Sequence, residues 1–219
     1  SVSVFCIKSG FNSDKFIFLV LICQIKFLFS IHKIVAHNIM HIIENENLRV
    51  IAKEYGAELT SIYFKKNNTE YLWQADPTFW GWHSPVLFPV VGRCLNDEVN
   101  IGGRTYAMQK HGFARKSDFK LLELGNNRMV FSLMYNESTL AIFPYKFELL
   151  IAYSIHESKL KCSYEVRNLD EQTILYSIGG HPAFSVPLSD TISYKDYYLE
   201  FPKQENFERH YIDGEGFFD

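Results

Sequence analysis

From residue 40 onward, hydrophobic and polar positions alternate with a period of two, the signature of half-buried strands. Phe147, Leu149, Ile151, Tyr153 and Ile155 alternate with Lys146, Glu148, Leu150, Ala152 and Ser154. After His156-Glu157-Ser158-Lys159 the alternation resumes at Leu160, Cys162, Tyr164 and Val166, which predicts a long antiparallel hairpin. Met129, Phe131, Leu133 and Tyr135 predict a further strand, joined to Phe119–Leu124 through Gly125-Asn126-Asn127. Val99 and Ile101 turn at Gly102-Gly103 into Thr105 and Ala107. Leu48, Val50 and Ala52, then Ser61–Phe64 and Tyr71–Trp73, predict a meander with Lys65–Thr69 as a turn. No stretch carries a convincing helical period. Successive hairpins of this kind predict an all-β, large antiparallel β-sandwich.

Composition narrows the function classes. The 219 residues are 47% hydrophobic, with 19 Phe, 13 Tyr and 3 Trp, which excludes an intrinsically disordered chain. A net charge of −3 offers phosphate backbones no basic field and argues against a nucleic-acid partner. The four cysteines, at 6, 23, 94 and 162, show neither zinc spacing nor a disulfide framework, so reduced thiols and a cytoplasmic location are expected.

The first 39 residues differ from the rest. They carry four Lys and one Asp and hold the apolar run Phe16–Cys23. Gln24, Lys26, His32 and Lys33 interrupt that run, and a lysine near the middle of a span costs about 2.5–3.5 kcal/mol, which argues against a membrane span. No small-residue cleavage site follows it either. Residues 1–39 are therefore expected to stand outside the folded domain, as sequence foreign to it or a hydrophobic extension, with residues 40–219 as the domain.

Functional residues gather where local rules break, and three segments break them. They are Trp80–Asn96, apolar and twice interrupted by Pro; Lys110-His-Gly-Phe-Ala-Arg115; and Ser177-Ile-Gly-Gly-His-Pro-Ala-Phe-Ser-Val-Pro187. Each also has a purely structural reading. His111-Gly112 fits a turn, Gly179–Pro182 fits a strand-ending bend, and Arg93 fits a surface pair with Asp97 or Glu98. His156 falls in a predicted turn, His83 beside Trp82, and His210 in a charged tail. His37 and His41 have a ligand-like spacing but no third ligand. Neither a G-x-S-x-G elbow nor a phosphate-cradling loop occurs.

Four boxes, in order, resemble the aldose 1-epimerase (galactose mutarotase-like) family, most closely its LacX-like branch. They are Ser84-Pro-Val-Leu-Phe-Pro-Val-Val-Gly-Arg93, Lys110–Arg115, Phe143-Pro-Tyr-Lys-Phe147 and Ile178-Gly-Gly-His-Pro-Ala-Phe184. The resemblance implies interconversion of the α and β anomers of a hexose or hexose phosphate, with no cofactor, because proton transfer alone opens and recloses a hemiacetal. It implies His181 as the general acid at the ring oxygen and His111 as the second catalytic histidine. It implies Arg93 as a donor to sugar hydroxyls and Arg115 at the position that holds phosphate in hexose-phosphate relatives. Trp82 and Phe113 are candidates to stack on the pyranose, with core packing open for both. The oligomeric state stays open.

One departure stands against these matches. The family's general base is a glutamate in a segment resembling Ile-Glu-Pro-Trp, and this sequence has none. Glu200, Glu205, Glu208 and Glu215 are available carboxylates in other contexts. The expectation is a sandwich truncated at its C-terminus, impaired as an enzyme, with an inactive fragment or a non-catalytic carbohydrate-binding module as the alternatives.

Overall fold

A computed structural model describes residues 39–189, 191–198, 200 and 214. The described residues form twelve strands. β1 (Met40–Glu44), β2 (Leu48–Lys53), β3 (Leu59–Phe64) and β4 (Thr69–Glu70) make one antiparallel sheet in that order. A second antiparallel sheet runs β11 (Lys159–Asn168), β10 (Phe147–His156), β9 (Arg128–Met134), β8 (Lys120–Leu124). Two small pairs complete the set: β6 (Glu98–Ile101) with β7 (Arg104–Ala107), and β5 (Val86–Leu87) with β12 (Gly179–Gly180). Residues 1–38, with the Phe16–Cys23 run, lie outside the described residues. No helix among the described residues is long and apolar enough to cross a membrane.

The pattern explains the packing. Phe147, Leu149, Ile151, Tyr153 and Ile155 of β10 are all buried, and the hairpin to β11 pairs His156 with Lys159 across a tight turn with Glu157 at φ +53°. This face meets Ile43, Leu48, Val50, Ala52 and Leu59 of the first sheet in one hydrophobic core. The Tyr153 hydroxyl ties the two layers by donating to the Ala57 carbonyl at 2.8 Å. The antiparallel sandwich expected from the period-two pattern is therefore the observed architecture.

Two local differences have physical causes. The strand expected at Tyr71–Trp73 runs instead at Thr69–Glu70. The Glu70 carboxylate accepts from the backbone N–H groups of Ile62 and Leu72, both at 2.9 Å, and so takes up a ladder donor on each side. The chain beyond it leaves β3 and joins another segment: Leu72 bridges Phe184, and Trp73 N–H donates to the Ala183 carbonyl at 3.0 Å. The second is a single helical turn, α1 (Glu137–Leu140), where no helix was expected. Asn136 caps it, accepting from Thr139 N–H while Thr139 Oγ1 accepts from Asn136 N–H.

Candidate active site

The three irregular segments converge through backbone pairing. β5 and β12 place Leu87 opposite Gly179 and Val86 opposite Gly180. The His181 N–H then donates to the Pro85 carbonyl at 3.1 Å, and Ser177 N–H to the Pro89 carbonyl at 2.8 Å. From the other side, Phe88 bridges Gly112, and its carbonyl accepts from the N–H groups of Phe113 (3.0 Å) and Ala114 (3.2 Å). Phe88–Gly92 thus lies between the two histidine-bearing segments. The outcome is a pair of imidazoles, His111 and His181, with ring centroids 6.1 Å apart and planes at 63°.

The two rings have different surroundings. His111 is half-buried, with φ +68°, a conformation uncommon for a side-chain-bearing residue. Its N–H donates to the Gly92 carbonyl at 2.8 Å, and its Nδ1 accepts from the Gly92 N–H at 3.0 Å. An accepting Nδ1 carries no proton, so the neutral ring holds its hydrogen on Nε2. Burial, then the charges of Arg115 and Lys110 and the neighbouring His181, push His111 down to about 4. His181 is exposed and lies beside the indole of Trp80, centroids 4.9 Å apart.

A pH dependence follows. In the unfolded chain an imidazole titrates near pH 6.5, above the folded value of about 4. Between the two, the unfolded state binds a proton that the folded state does not. The stability due to His111 is thus fully present above about pH 6.5, falls as the pH drops, and has gone below about 4. His83, also shifted down by burial, acts in the same direction. His111→Asn, whose side chain tolerates positive φ, should flatten but not abolish the slope of unfolding free energy between about pH 4 and 6.5. Urea melts across that range check it, and an unchanged slope would contradict the assignment.

The remaining candidates sit around this pair in distinct ways. Arg93 is exposed and engages Asp97 through Nε–Oδ1 and Nη2–Oδ2, both 2.8 Å, so two of its donors are committed to a carboxylate. Arg115 donates to the Lys110 carbonyl at 2.7 Å and lies over the Trp82 ring, 5.4 Å from its centroid. Lys53 Nζ lies 5.9 Å from the same ring, so Trp82 serves two cations of its own chain. Phe113 packs in the aromatic core, with ring centroids 6.0–6.2 Å from those of Phe88, Phe143 and Phe147. An open groove of about 450 Å³ runs along Arg93, Asp97, Met108, Gln109, Lys110 and Arg115. His156 is exposed at the β10–β11 turn, away from the pair, and His41 bonds Glu54 at 2.8 Å. Glu200 is exposed; Glu205, Glu208, Glu215, His210 and His37 lie outside the described residues.

Three residues at the site were not singled out by sequence reasoning. Trp80, rather than Trp82, is the indole beside His181. Glu58 is buried beneath the Trp80–Pro85 loop. Tyr164 of β11 fills the space where Gly180 lacks a side chain: a Cβ there would sit 2.6 Å from the Tyr164 hydroxyl. Gly180→Ala should therefore cost about 1–2 kcal/mol by overpacking, and Tyr164→Phe should relieve most of it in the double variant. Urea melts of the two single variants and the double check this, and strictly additive losses would contradict the contact.

Sequence comparison adds kinship to this geometry. The Aldose 1-epimerase family profile matches residues 40–209. The chain belongs to the aldose 1-epimerase family. The LacX protein of Lactococcus lactis subsp. lactis, in its plasmid and chromosomal forms, is 39% identical over 170 residues, covering 75% of this chain and 56% of LacX. Among solved structures, a galactose mutarotase related enzyme from Lactobacillus acidophilus is 38% identical with a TM-score of 0.68, over 69% of this chain and 50% of that one. A galactose mutarotase-like protein from Lactobacillus casei matches with 38% identity and a TM-score of 0.67, over 69% and 52%. The chain spans about half the length of these epimerase-family relatives. The LacX-like resemblance of the four boxes and the sandwich fold agree with these findings.

Proposed function

We propose that this chain binds a hexose and carries the acid side of the reaction that interconverts its α and β anomers. The side-by-side placement of His111 and His181, with Nδ1 of His111 held by the Gly92 amide, supports the reading. The neutral His111 offers Nε2–H to the sugar ring oxygen as a hydrogen-bond donor, because a group titrating near 4 holds no second proton at neutral pH. The exposed His181 gives the ring oxygen its proton. A base takes the C1 hydroxyl proton, the bond from C1 to the ring oxygen breaks, and its electron pair stays on that oxygen. Rotation about C1–C2 and reclosure on the other face of the aldehyde return both protons. Arg93 and Arg115 supply donors along the neighbouring groove, and Trp80 is the indole best placed to border a pyranose beside His181.

The base is the component this sequence does not match, since no glutamate in it is followed by Pro-Trp. In this reading the 219-residue chain accelerates mutarotation little or not at all, acting as a hexose-binding site. In this reading residues 40–219 are the domain, and a chain begun at Ile39, whose carbonyl accepts from Glu54 N–H at 3.0 Å, should melt at the same temperature as the full chain. The reading puts the protein in the cytoplasm, where the unpaired thiols of Cys94 and Cys162 stay reduced.

The test pairs thermal melts with polarimetry, using galactose, glucose and glucose 6-phosphate. At a hexose concentration about 100 times Kd, the sugar should stabilise the fold by about 2.7 kcal/mol. The optical rotation of fresh α-hexose should relax at nearly the uncatalysed rate. Absence of stabilisation by all three sugars contradicts hexose binding, and robust acceleration contradicts the missing base.

A further inference from the structure

We infer that Glu58 is a positioning residue of the sugar site, a buried carboxylate whose grip on two backbone amides holds the Trp80–Pro85 loop against His181. The inference rests on the reading of the His111–His181 pair as a sugar site.

Glu58 is 1% exposed, and a buried carboxylate is costly unless fully partnered. Its Oε1 accepts from the N–H groups of His83 at 2.7 Å and Ser84 at 3.1 Å. Its Oε2 pairs with Lys53 Nζ at 2.5 Å. Each partner leads to the site. The His83 carbonyl accepts from Ala183 N–H at 2.9 Å, and the Pro85 carbonyl accepts from His181 N–H at 3.1 Å. Trp80, at the start of the same loop, lies beside the His181 ring. Lys53, held by the carboxylate, lies over Trp82, whose ring also carries Arg115.

The turn that presents Glu58 touches the other histidine segment as well. Gly56 donates to the Ser117 carbonyl at 2.8 Å, and a Cβ at Gly56 would meet the Arg115 carbonyl at 2.7 Å. Gly56-Ala57-Glu58 is thus a platform on which the Lys110–Arg115 box and the Trp80–Pro85 loop both rest. A glutamine would keep the oxygen that the two amides need but lose the charge that faces Lys53. An apolar residue would lose both.

The test reads the His181 imidazole by NMR in the full chain. The Trp80 ring current should displace the His181 ring-proton resonances, and Trp80→Ala identifies their unperturbed position. Glu58→Leu should move them towards that position while the core resonances of Phe88 and Tyr153 stay, and should weaken galactose binding about tenfold through lost preorganisation. Glu58→Gln should leave the resonances in place and the affinity within about twofold. Unmoved His181 resonances in a folded Glu58→Leu chain would overturn the inference, as would equal displacement in Glu58→Gln and Glu58→Leu. If Glu58→Leu does not fold, the wild-type chain decides. The His83 and Ser84 amides should exchange with solvent only through global unfolding, and exchange within minutes would overturn the grip. A wild-type chain that binds no hexose contradicts the sugar-site reading, while the ring-current comparison still tests Glu58.

Discussion

Gly112→Ala should destabilise the protein by more than about 3 kcal/mol, the largest loss expected from adding a methyl group at any of the described glycines. A Cβ at Gly112 would lie 2.2 Å from the Phe88 carbonyl oxygen, 2.5 Å from its carbon and 2.6 Å from the Pro89 nitrogen. These are backbone atoms and cannot rotate away. The residue also has φ +68°, which disfavours any side chain. Relief requires the Phe88–Pro89 backbone to move. Phe88 is fully buried, with ring centroids 5.2–6.1 Å from those of Phe113, Phe143, Phe147 and Tyr176. The same shift would lengthen the hydrogen bonds from Phe113 and Ala114 that align His111 with its partner. Gly103→Ala is the control: its φ is +77°, but nothing lies within 4 Å of its Cβ position, so only about 1 kcal/mol of conformational strain is expected. Equal losses for the two variants in urea melts would contradict the close approach.

Under the proposed function, His181→Ala should remove the proton donor and, with it, about 10²–10⁴-fold of turnover wherever the base is present. In the 219-residue chain the same substitution should abolish the stabilisation given by hexoses. His156→Ala should change neither, because His156 is exposed at the β10–β11 turn. Comparing the two variants separates loss of a particular imidazole from loss of any histidine. Equal effects would make the role of His181 structural.

The sandwich was legible because its strands obey a single rule. In β10 every second side chain is apolar and buried, and one slip of register would turn that set to solvent. The histidine segments were legible for the opposite reason, since Gly and Pro break the alternation around His111 and His181. What stayed hidden depends on contacts distant in sequence. Glu58 reads as one more charged residue, because its two amide partners stand 25 and 26 positions further on. The choice between Trp80 and Trp82 is set by which ring meets His181 and which meets Lys53 and Arg115. Arg93 offered Asp97 one helical turn away in sequence, and the side chains do pair. Strand β4 ends early because the Glu70 side chain displaces a ladder partner, which periodicity alone does not encode.

The proposed function requires His111 and His181 to line one hexose site. A galactose titration followed through the imidazole resonances of histidine-labelled protein tests it most directly. The His111 and His181 signals should move together with one dissociation constant, while those of His41 and His156 stay in place. Signals that do not move at the pair, or that move equally at His156, would contradict it.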